Sequence, residues 1–424
     1  MQMNDIVSER LGEKYISVTH GSGLKMKLYP MQGFTSAYAL FSTEYGSTDV
    51  CFKTNNDSEF IEIPEGTAHF LEHKLFESED GDAFSRYAET GASANAYTSF
   101  DRTAYLFSCT DNFEESLEIL LDFVTKPYFT EQTVQKEQGI IGQEIKMYDD
   151  SPDWRVMLNL LSAMYKNSSV KVDIAGTAES IAKINADMLY RCYRTFYNLS
   201  NMVLTVAGNF EPETVLKVAD RVLKKNENIV IESKIPDEPD EVNQNYICQN
   251  LPVSAPLFEI GFKGISKGKS ENYKMSVIDE MVQEIIIGES SELYAKLYNE
   301  GLIDSEFDKE TFSGRDYIMM LFSGESKEPE KVYDEIKNAV KNAAENGVDK
   351  ERFEICRKVM YGRYLRMLDK PDNIANLLLS SYFANSDPFE IIDLIAKTNI
   401  EELNDRIKNV YDSGRSALSV IKAK

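Results

Sequence analysis

The spacing of apolar residues predicts short strands at the start of the chain and long helices after them. Apolar and polar side chains alternate at 15–20, 24–29 and 36–41, which predicts three strands separated by glycine turns. Two more strands are predicted at 94–109 and 202–207. Apolar residues recur every three or four positions over longer stretches, as in amphipathic helices. These predicted helices span 65–77, 82–90, 114–126, 131–147, 153–165, 187–197 and 212–225.

Two segments of the first half recur in the same order in the second half. TAYLFS at 103–108 precedes an acidic helix, as does IMMLFS at 318–323. KMYDDSP at 146–152 and RMLDKPD at 366–372 extend the match. Chance agreement is the alternative, but the conserved order favours an internal duplication of a unit of about 200 residues. We therefore predict an α+β fold of two tandem homologous α/β sandwich domains, each a mostly antiparallel sheet with helices on one face.

An acidic segment with two prolines separates the predicted domains. Residues 236–241 read PDEPDE, a composition that favours an exposed linker over a packed element. We therefore predict an N-terminal domain at 1–230, a linker at 231–244 and a C-terminal domain at 245–424.

Composition narrows the class of protein. The 424 residues are 42% hydrophobic and 27% charged, as in globular proteins, and no apolar run is long enough for a membrane helix. The net charge of -24 argues against nucleic acid and is compatible with cationic peptides, although an acidic, soluble surface is the simpler explanation. Five scattered cysteines and an N-terminus unlike a signal peptide predict a cytoplasmic protein.

Two of the three histidines stand four residues apart in the segment HFLEH. On a helix, His69 and His73 project from one face at a separation suited to sharing a metal ion. Glu72 falls beside them, where it can take a proton from a metal-bound water. Two core histidines are the alternative, but three histidines in 424 residues make a chance pair improbable. We therefore predict a catalytic zinc site.

A catalytic zinc needs a third protein ligand from another segment. The best candidates are Glu137 and Glu144, which stand two helical turns apart and share one helix face. Spacing alone does not choose between them, and glutamates on helices usually point into water.

HFLEH is the inverted form of the HExxH zinc motif, and the chain resembles the insulinase/pitrilysin family of zinc metallopeptidases. In that family the third ligand is a glutamate about 70 residues after the motif, which corresponds to Glu144. The resemblance therefore implies one Zn²⁺ per chain, bound by His69, His73 and Glu144. It also implies that Glu72 is the catalytic base and that Glu137 supports the site.

The segment GASANAYTSFDRTAY at 91–105 resembles the edge strand of that family, where an Asn-Ala pair, here Asn95 and Ala96, binds the substrate backbone. An exposed sheet edge beside a metal can accept an extended peptide as an additional strand. For Asn95 and Tyr97 taken singly, packing or capping of a turn is an equal alternative.

The second unit lacks the residues for such a metal site. No histidine follows His73. The repeat alignment places Tyr364 opposite Glu144 and Arg357 opposite Glu137. The resemblance implies one catalytic and one non-catalytic unit.

The resemblance also implies that the chain is half of a clamshell, which dimerises with itself or with a sister subunit to enclose peptides. Arg315 and Tyr317 of the second unit are candidates for steadying the substrate, a role that a partner chain could fill instead. The predicted function is therefore a zinc endopeptidase that cleaves peptides or leader segments, with Glu72 acting on a zinc-bound water. The alternative is a non-catalytic assembly subunit of the same fold.

Overall fold

The computed structural model describes residues 2–79, 81–225, 229–410 and 415–423 and contains mixed helices and mainly antiparallel sheets. The strands are β1 (Gln2–Ser8), β2 (Glu13–Thr19), β3 (Lys25–Pro30), β4 (Ala37–Thr43), β5 (Cys51–Thr54), β6 (Ile61–Glu62), β7 (Glu77–Ser78), β8 (Gly81–Asp82), β9 (Ser93–Thr98), β10 (Thr103–Cys109), β11 (Met202–Gly208), β12 (Ile231–Ser233), β13 (Tyr246–Asn250), β14 (Leu257–Lys263), β15 (Asp308–Ser313), β16 (Ile318–Glu325) and β17 (Ser416–Lys422).

The α-helices are α1 (Thr67–Leu75), α2 (Ala83–Thr90), α3 (Phe113–Thr125), α4 (Glu131–Asp149), α5 (Pro152–Met164), α6 (Ala178–Ile181), α7 (Ala186–Phe196), α8 (Pro212–Val222), α9 (Lys269–Ile287), α10 (Glu292–Asn299), α11 (Pro329–Asn346), α12 (Lys350–Met367), α13 (Pro371–Phe383), α14 (Pro388–Lys397) and α15 (Ile400–Val410). None of these described helices is both long enough and apolar enough to cross a membrane.

Each half of the fold is centred on a sheet, and the five strands of the second sheet follow the order of five of the seven strands of the first. The first has the order β1-β2-β3-β11-β4-β10-β9 and the second has the order β13-β17-β14-β16-β15. In the first sheet β3 and β11 are parallel, and in the second β13 and β17 are parallel. All the other neighbours in both sheets are antiparallel. The five strands of the second sheet thus repeat the last five of the first, and the predicted two homologous α+β domains are confirmed.

The compact units differ from the contiguous domains that we predicted. One unit comprises Met1–Ile145, Asp173–Lys234 and Arg366–Phe383, and the other comprises Lys146–Val172, Ile235–Leu365 and Ala384–Lys424. Helix α5 packs on β14 and β17, whereas α13 packs on β4 and β11. Each half of the sequence therefore contributes one helix to the sheet of the other half. The apolar face of α5 packs on the second sheet, where Val156 lies in a cluster with Leu251 and Ile421.

Part of the predicted linker is packed. Ile231–Ser233 forms β12, which pairs with β5. The Glu238 side chain is only 9% exposed and forms an ion pair with Lys263 at 2.8 Å. Its carboxylate also accepts the backbone N–H groups of Lys166, Asn167 and Ser168. The prediction of an exposed, unpacked linker is therefore wrong at these positions, because a cation and three amides compensate for burial of Glu238.

Two predicted element boundaries also change. The single strand predicted at 94–109 is a hairpin of β9 and β10, whose turn is closed by the Ser99 N–H donating to the Arg102 carbonyl at 2.8 Å. The last helix predicted in the first half ends at Val222 rather than at residue 225. Strand β10 is largely buried, whereas β9 alternates between exposed and half-buried residues.

Candidate metal centre

Helix α1 positions both histidines of HFLEH through its buried apolar side. Phe70 and Leu71 are fully buried, and Leu75 is nearly so. The helix begins after Gly66, whose φ is 84° and whose missing Cβ would lie 2.4 Å from the Ala175 carbonyl oxygen. Only glycine fits this left-handed, crowded position, so Gly66 fixes where the helix starts.

His69, His73 and Glu144 come together although Glu144 lies on a different helix, α4. One ligand atom from each of the three lies within 4.8 Å of the others. Glu144 Oε1 is 3.7 Å from His69 Nε2, and Glu144 Oε2 is 3.5 Å from His73 Nε2. Zinc bonds of about 2.1 Å in tetrahedral geometry separate ligand atoms by about 3.4 Å. Two imidazole nitrogens and a carboxylate oxygen at this spacing fit a zinc ion.

Glu137 holds the opposite nitrogen of His73. Its Oε1 lies 2.9 Å from His73 Nδ1, and its side chain is only 7% exposed. In the tautomer that leaves Nε2 free for a metal, Nδ1 carries the proton and donates to Glu137. The two glutamates therefore occupy different places: Glu144 faces both Nε2 atoms and Glu137 faces Nδ1 of one ring.

Burial and nearby charges shift the pKa values of His69 and His73 in opposite directions. Burial, assisted by His73, lowers the pKa of His69 to about 3, which keeps that imidazole neutral. Burial by itself lowers the pKa of His73, but the hydrogen bond to Glu137 and the charges of Glu144 and Glu72 outweigh it and raise that pKa. The buried Nδ1 of His69 has no hydrogen-bond partner among the residues that the structure describes.

Glu72 is held by a residue that the sequence reasoning missed. Thr98 Oγ1, at the end of β9, donates a hydrogen bond of 2.5 Å to Glu72 Oε2. Burial raises the pKa of Glu72, while the Thr98 hydrogen bond and His73 act against that rise and Glu144 adds to it. No spacing rule links positions 72 and 98. Only the expectation that the HFLEH helix and the edge strand lie next to each other could have suggested the contact.

Strand β9 is the last strand of its sheet, as the edge-strand prediction requires. Asn95 and Ala96 lie opposite Leu106 and Tyr105 of β10. The backbone N–H of Ala96 donates to the Asn95 side chain at 2.9 Å. Asn95 is exposed and lies within the strand, so it does not cap a turn. Tyr97 is half-buried.

In the second unit, ion pairs and a tyrosine occupy the equivalent helices. Glu280 and Glu284 stand four residues apart on α9, like the histidines on α1. The Tyr364 hydroxyl of α12 donates to Glu280 at 3.2 Å, and Arg363 pairs with Glu284 at 3.3 Å. Lys309 also pairs with Glu284. The three-ligand cluster around Glu144 has no second example among the described residues.

The other second-unit residues singled out from the sequence lie in ordinary structural positions. Arg357 donates to the Ala396 carbonyl at 2.7 Å and pairs with Glu354. Arg315 and Tyr317 lie in the turn between β15 and β16, and Tyr317 is only 5% exposed.

Known proteins resemble both halves of the chain. The family model "Insulinase (Peptidase family M16)" matches residues 62–178, and "Peptidase M16 inactive domain" matches residues 183–360. The uncharacterized zinc protease YmfH of Bacillus subtilis is 37% identical over 419 residues, covering 96% of each chain. The uncharacterized zinc protease YmxG of the same organism is 25% identical and covers 82% of this chain and 87% of its own.

A solved structure resembles the whole chain. The crystal structure described as an M16-like peptidase from Alicyclobacillus acidocaldarius superposes with a TM-score of 0.92 at 32% identity. The superposition covers 100% of this chain and 99% of that one. Both the order of elements and their packing are therefore shared along the full length.

Proposed function

This chain belongs to the insulinase family, peptidase family M16, and on that premise we propose that it is a zinc-dependent endopeptidase. The observation that carries the proposal is the convergence of His69, His73 and Glu144 beside the half-buried side chain of Glu72. Relatives named zinc proteases support the same metal. Peptides and leader segments are the proposed substrates.

His69, His73 and Glu144 would hold the ion, which when bound polarises the carbonyl of the scissile peptide bond and a water molecule. Glu137 accepts a hydrogen bond from the Nδ1–H group of His73 and so keeps that ring in the tautomer and orientation that a metal ligand needs. Buried neutral His69 is ready to bind without first losing a proton.

Glu72 is the proposed general base. Its carboxylate takes a proton from the attacking water as the new C–O bond forms, and then passes that proton to the amine as the C–N bond breaks. The Thr98 hydrogen bond restricts Glu72 to one orientation during both transfers. Because Thr98 belongs to β9, the base is attached to the proposed substrate-binding strand.

The edge of β9 would bind the substrate in an extended form. A peptide that adds as a further strand gains main-chain hydrogen bonds that demand little of its side chains. The Asn95 side chain, which accepts the Ala96 N–H, would have to release that amide to the substrate. Asn95 thus protects an edge that would otherwise be open to unwanted pairing.

The decisive test is Glu72→Gln, measured for zinc content and for hydrolysis of an unstructured peptide with a fluorescent reporter. We expect about one zinc per chain and a loss of about 10²- to 10⁴-fold in hydrolysis. Glu89→Gln on α2 is the matched control, because it makes the same chemical change at an exposed position. Hydrolysis that persists in Glu72→Gln would remove the proposed role of Glu72.

We propose further that the chain acts in the cytoplasm as half of a clamshell, paired with a second copy or with a sister subunit. Light scattering of the purified chain distinguishes a homodimer from a monomer that needs another subunit. The competing function is that of a non-catalytic partner subunit. The observation that supports it is the match of residues 183–360 to the family model of an inactive domain. A dimer that binds zinc but cleaves no peptide, alone or with a sister subunit, would favour that function.

A further inference from the structure

The second unit contains a cavity lined by carboxyl groups and by no basic residue. It has a volume of about 440 Å³ and lies between the first turns of α5 and the strands β14, β15 and β16. Its acidic lining residues are Asp153, Glu259, Glu306, Glu310 and Glu325. The chain has five acids here and no lysine, arginine or histidine on the same walls, so the cavity is strongly attractive to a cation.

Glu259 is the most unusual of these acids. It sits in the middle of the sheet, where β14 pairs it with Ser323 of β16 and Ser419 of β17. It is only 6% exposed, and among the described residues its carboxyl has no hydrogen bond or ion pair. Burial, with a further contribution from Glu310, raises the pKa of Glu259 to about 8. A buried carboxyl without a partner is costly, and this one borders an open cavity.

A single metal ion is a poor fit to this cavity. In the described part of the chain, the one group of three or more potential ligands within 4.8 Å is that of His69, His73 and Glu144. No three of the cavity carboxyls therefore lie close enough together to chelate one ion. An organic cation carries several N–H donors spread over a wider area, so it can contact carboxylates that lie farther apart.

The remaining walls suit the stem of a long basic side chain. Val156 and Met157 of α5 and Leu257 of β14 line the cavity beside the acids. An arginine or lysine can lay its methylene groups along such apolar surface while its charged head reaches the carboxylates. The cavity volume is ample for one such side chain.

We propose that this cavity binds a basic side chain of a peptide substrate. Glu310 and Glu259, which releases its proton to solvent when the cation binds, are the anionic partners of its guanidinium or ammonium group. The inference rests on the proposed peptidase function and deepens it, because it assigns the substrate class as peptides with a basic residue. Under this proposal, the acidic residues of the cavity are the part of the acidic chain that contacts a cationic substrate.

The test measures binding without turnover, in the zinc-loaded Glu72→Gln variant. The probes are acetylated, amidated nonapeptides that carry one arginine at each position in turn among neutral residues, together with counterparts that carry lysine or citrulline there. Citrulline keeps the shape of arginine but lacks its charge. We expect at least one position at which arginine or lysine binds about tenfold more tightly than citrulline.

Glu259→Gln added to that variant should abolish the preference for the charged side chain. Glu292→Gln, which removes one exposed carboxylate of the same unit outside the cavity, should keep it. Equal binding of arginine, lysine and citrulline peptides at every position would overturn the proposal, as would a preference that survives Glu259→Gln. Since binding is read without cleavage, a failure of the peptidase proposal would appear separately, as absence of hydrolysis by the unmodified chain.

Discussion

Thr98 of the edge strand β9 donates a hydrogen bond of 2.5 Å to Glu72 of helix α1. The contact joins the strand that is proposed to bind the substrate to the group that is proposed to move the proton. A second hydroxyl, that of Thr103, lies 3.3 Å from Thr98 and donates to the Tyr45 carbonyl. The position of Glu72 is therefore tied to the paired strands β9 and β10.

Replacing Thr98 by valine should lower kcat about tenfold or more, because a hydrogen bond to a charged group contributes about 1.5 to 3 kcal/mol. KM and zinc content should change little, since Thr98 contacts none of the three ligands. Steady-state kinetics with metal analysis checks this expectation. Thr98→Ser, which keeps the hydroxyl, should recover most of kcat; a serine variant as slow as the valine variant would show that the hydroxyl is not the reason.

Glu137 and Glu144 should differ in how they affect metal affinity. Glu144→Gln removes a ligand and should leave the purified protein with little zinc. Glu137→Gln keeps all three ligands and should weaken zinc binding by about 10- to 100-fold, as expected for a residue that only orients a ligand. Competition with a chelator of known affinity measures both variants. Full zinc affinity in Glu144→Gln would place the third ligand elsewhere.

Gly66→Ala should destabilise the fold and disturb the metal site together. The new methyl group would meet the Ala175 carbonyl at 2.4 Å in a backbone conformation with positive φ. We expect a loss of more than about 1 kcal/mol in the free energy of unfolding, together with weaker zinc binding. Gly139→Ala on the exposed side of α4 is the control, because its methyl group meets nothing within 4 Å. That variant should be about 1 kcal/mol more stable, as measured by urea unfolding.

Glu259→Gln should stabilise the protein increasingly as the pH rises. A carboxyl whose pKa is raised by folding contributes stability at low pH, and that stability is lost between its ordinary pKa of 4.5 and its folded value of about 8. Glutamine avoids this loss, so the variant should gain up to a few kcal/mol near pH 8 and about half as much near pH 6.

Urea unfolding of both proteins at the two pH values measures the Glu259→Gln effect, and Glu292→Gln should show no such trend because Glu292 is exposed. A variant that is more stable and yet has lost its preference for basic peptides would separate binding from folding. A gain that does not grow with pH would contradict the raised pKa of Glu259.

The sequence by itself determined the residue types of the candidate metal site and the duplication. HFLEH fixes two histidines on one helix face through the period of the helix, and that period also puts Glu137 and Glu144 on one face of α4. Repeated strand–helix segments predicted two domains of one kind, and the five strands of the second sheet have the same order as the last five of the first. These features depend on residues that are close in sequence or recur in order.

Tertiary structure alone decided which atoms of distant segments meet. It separated Glu144, which faces both Nε2 atoms, from Glu137, which holds Nδ1 of His73. It also brought Thr98 to Glu72, exchanged α5 and α13 between the sheets, and left the carboxyl of Glu259 facing a cavity. Local sequence patterns show which face of a helix or strand is apolar, but not which other helix or sheet covers that face. The reason is that the free energy gained by burying an apolar face depends little on which apolar surface covers it.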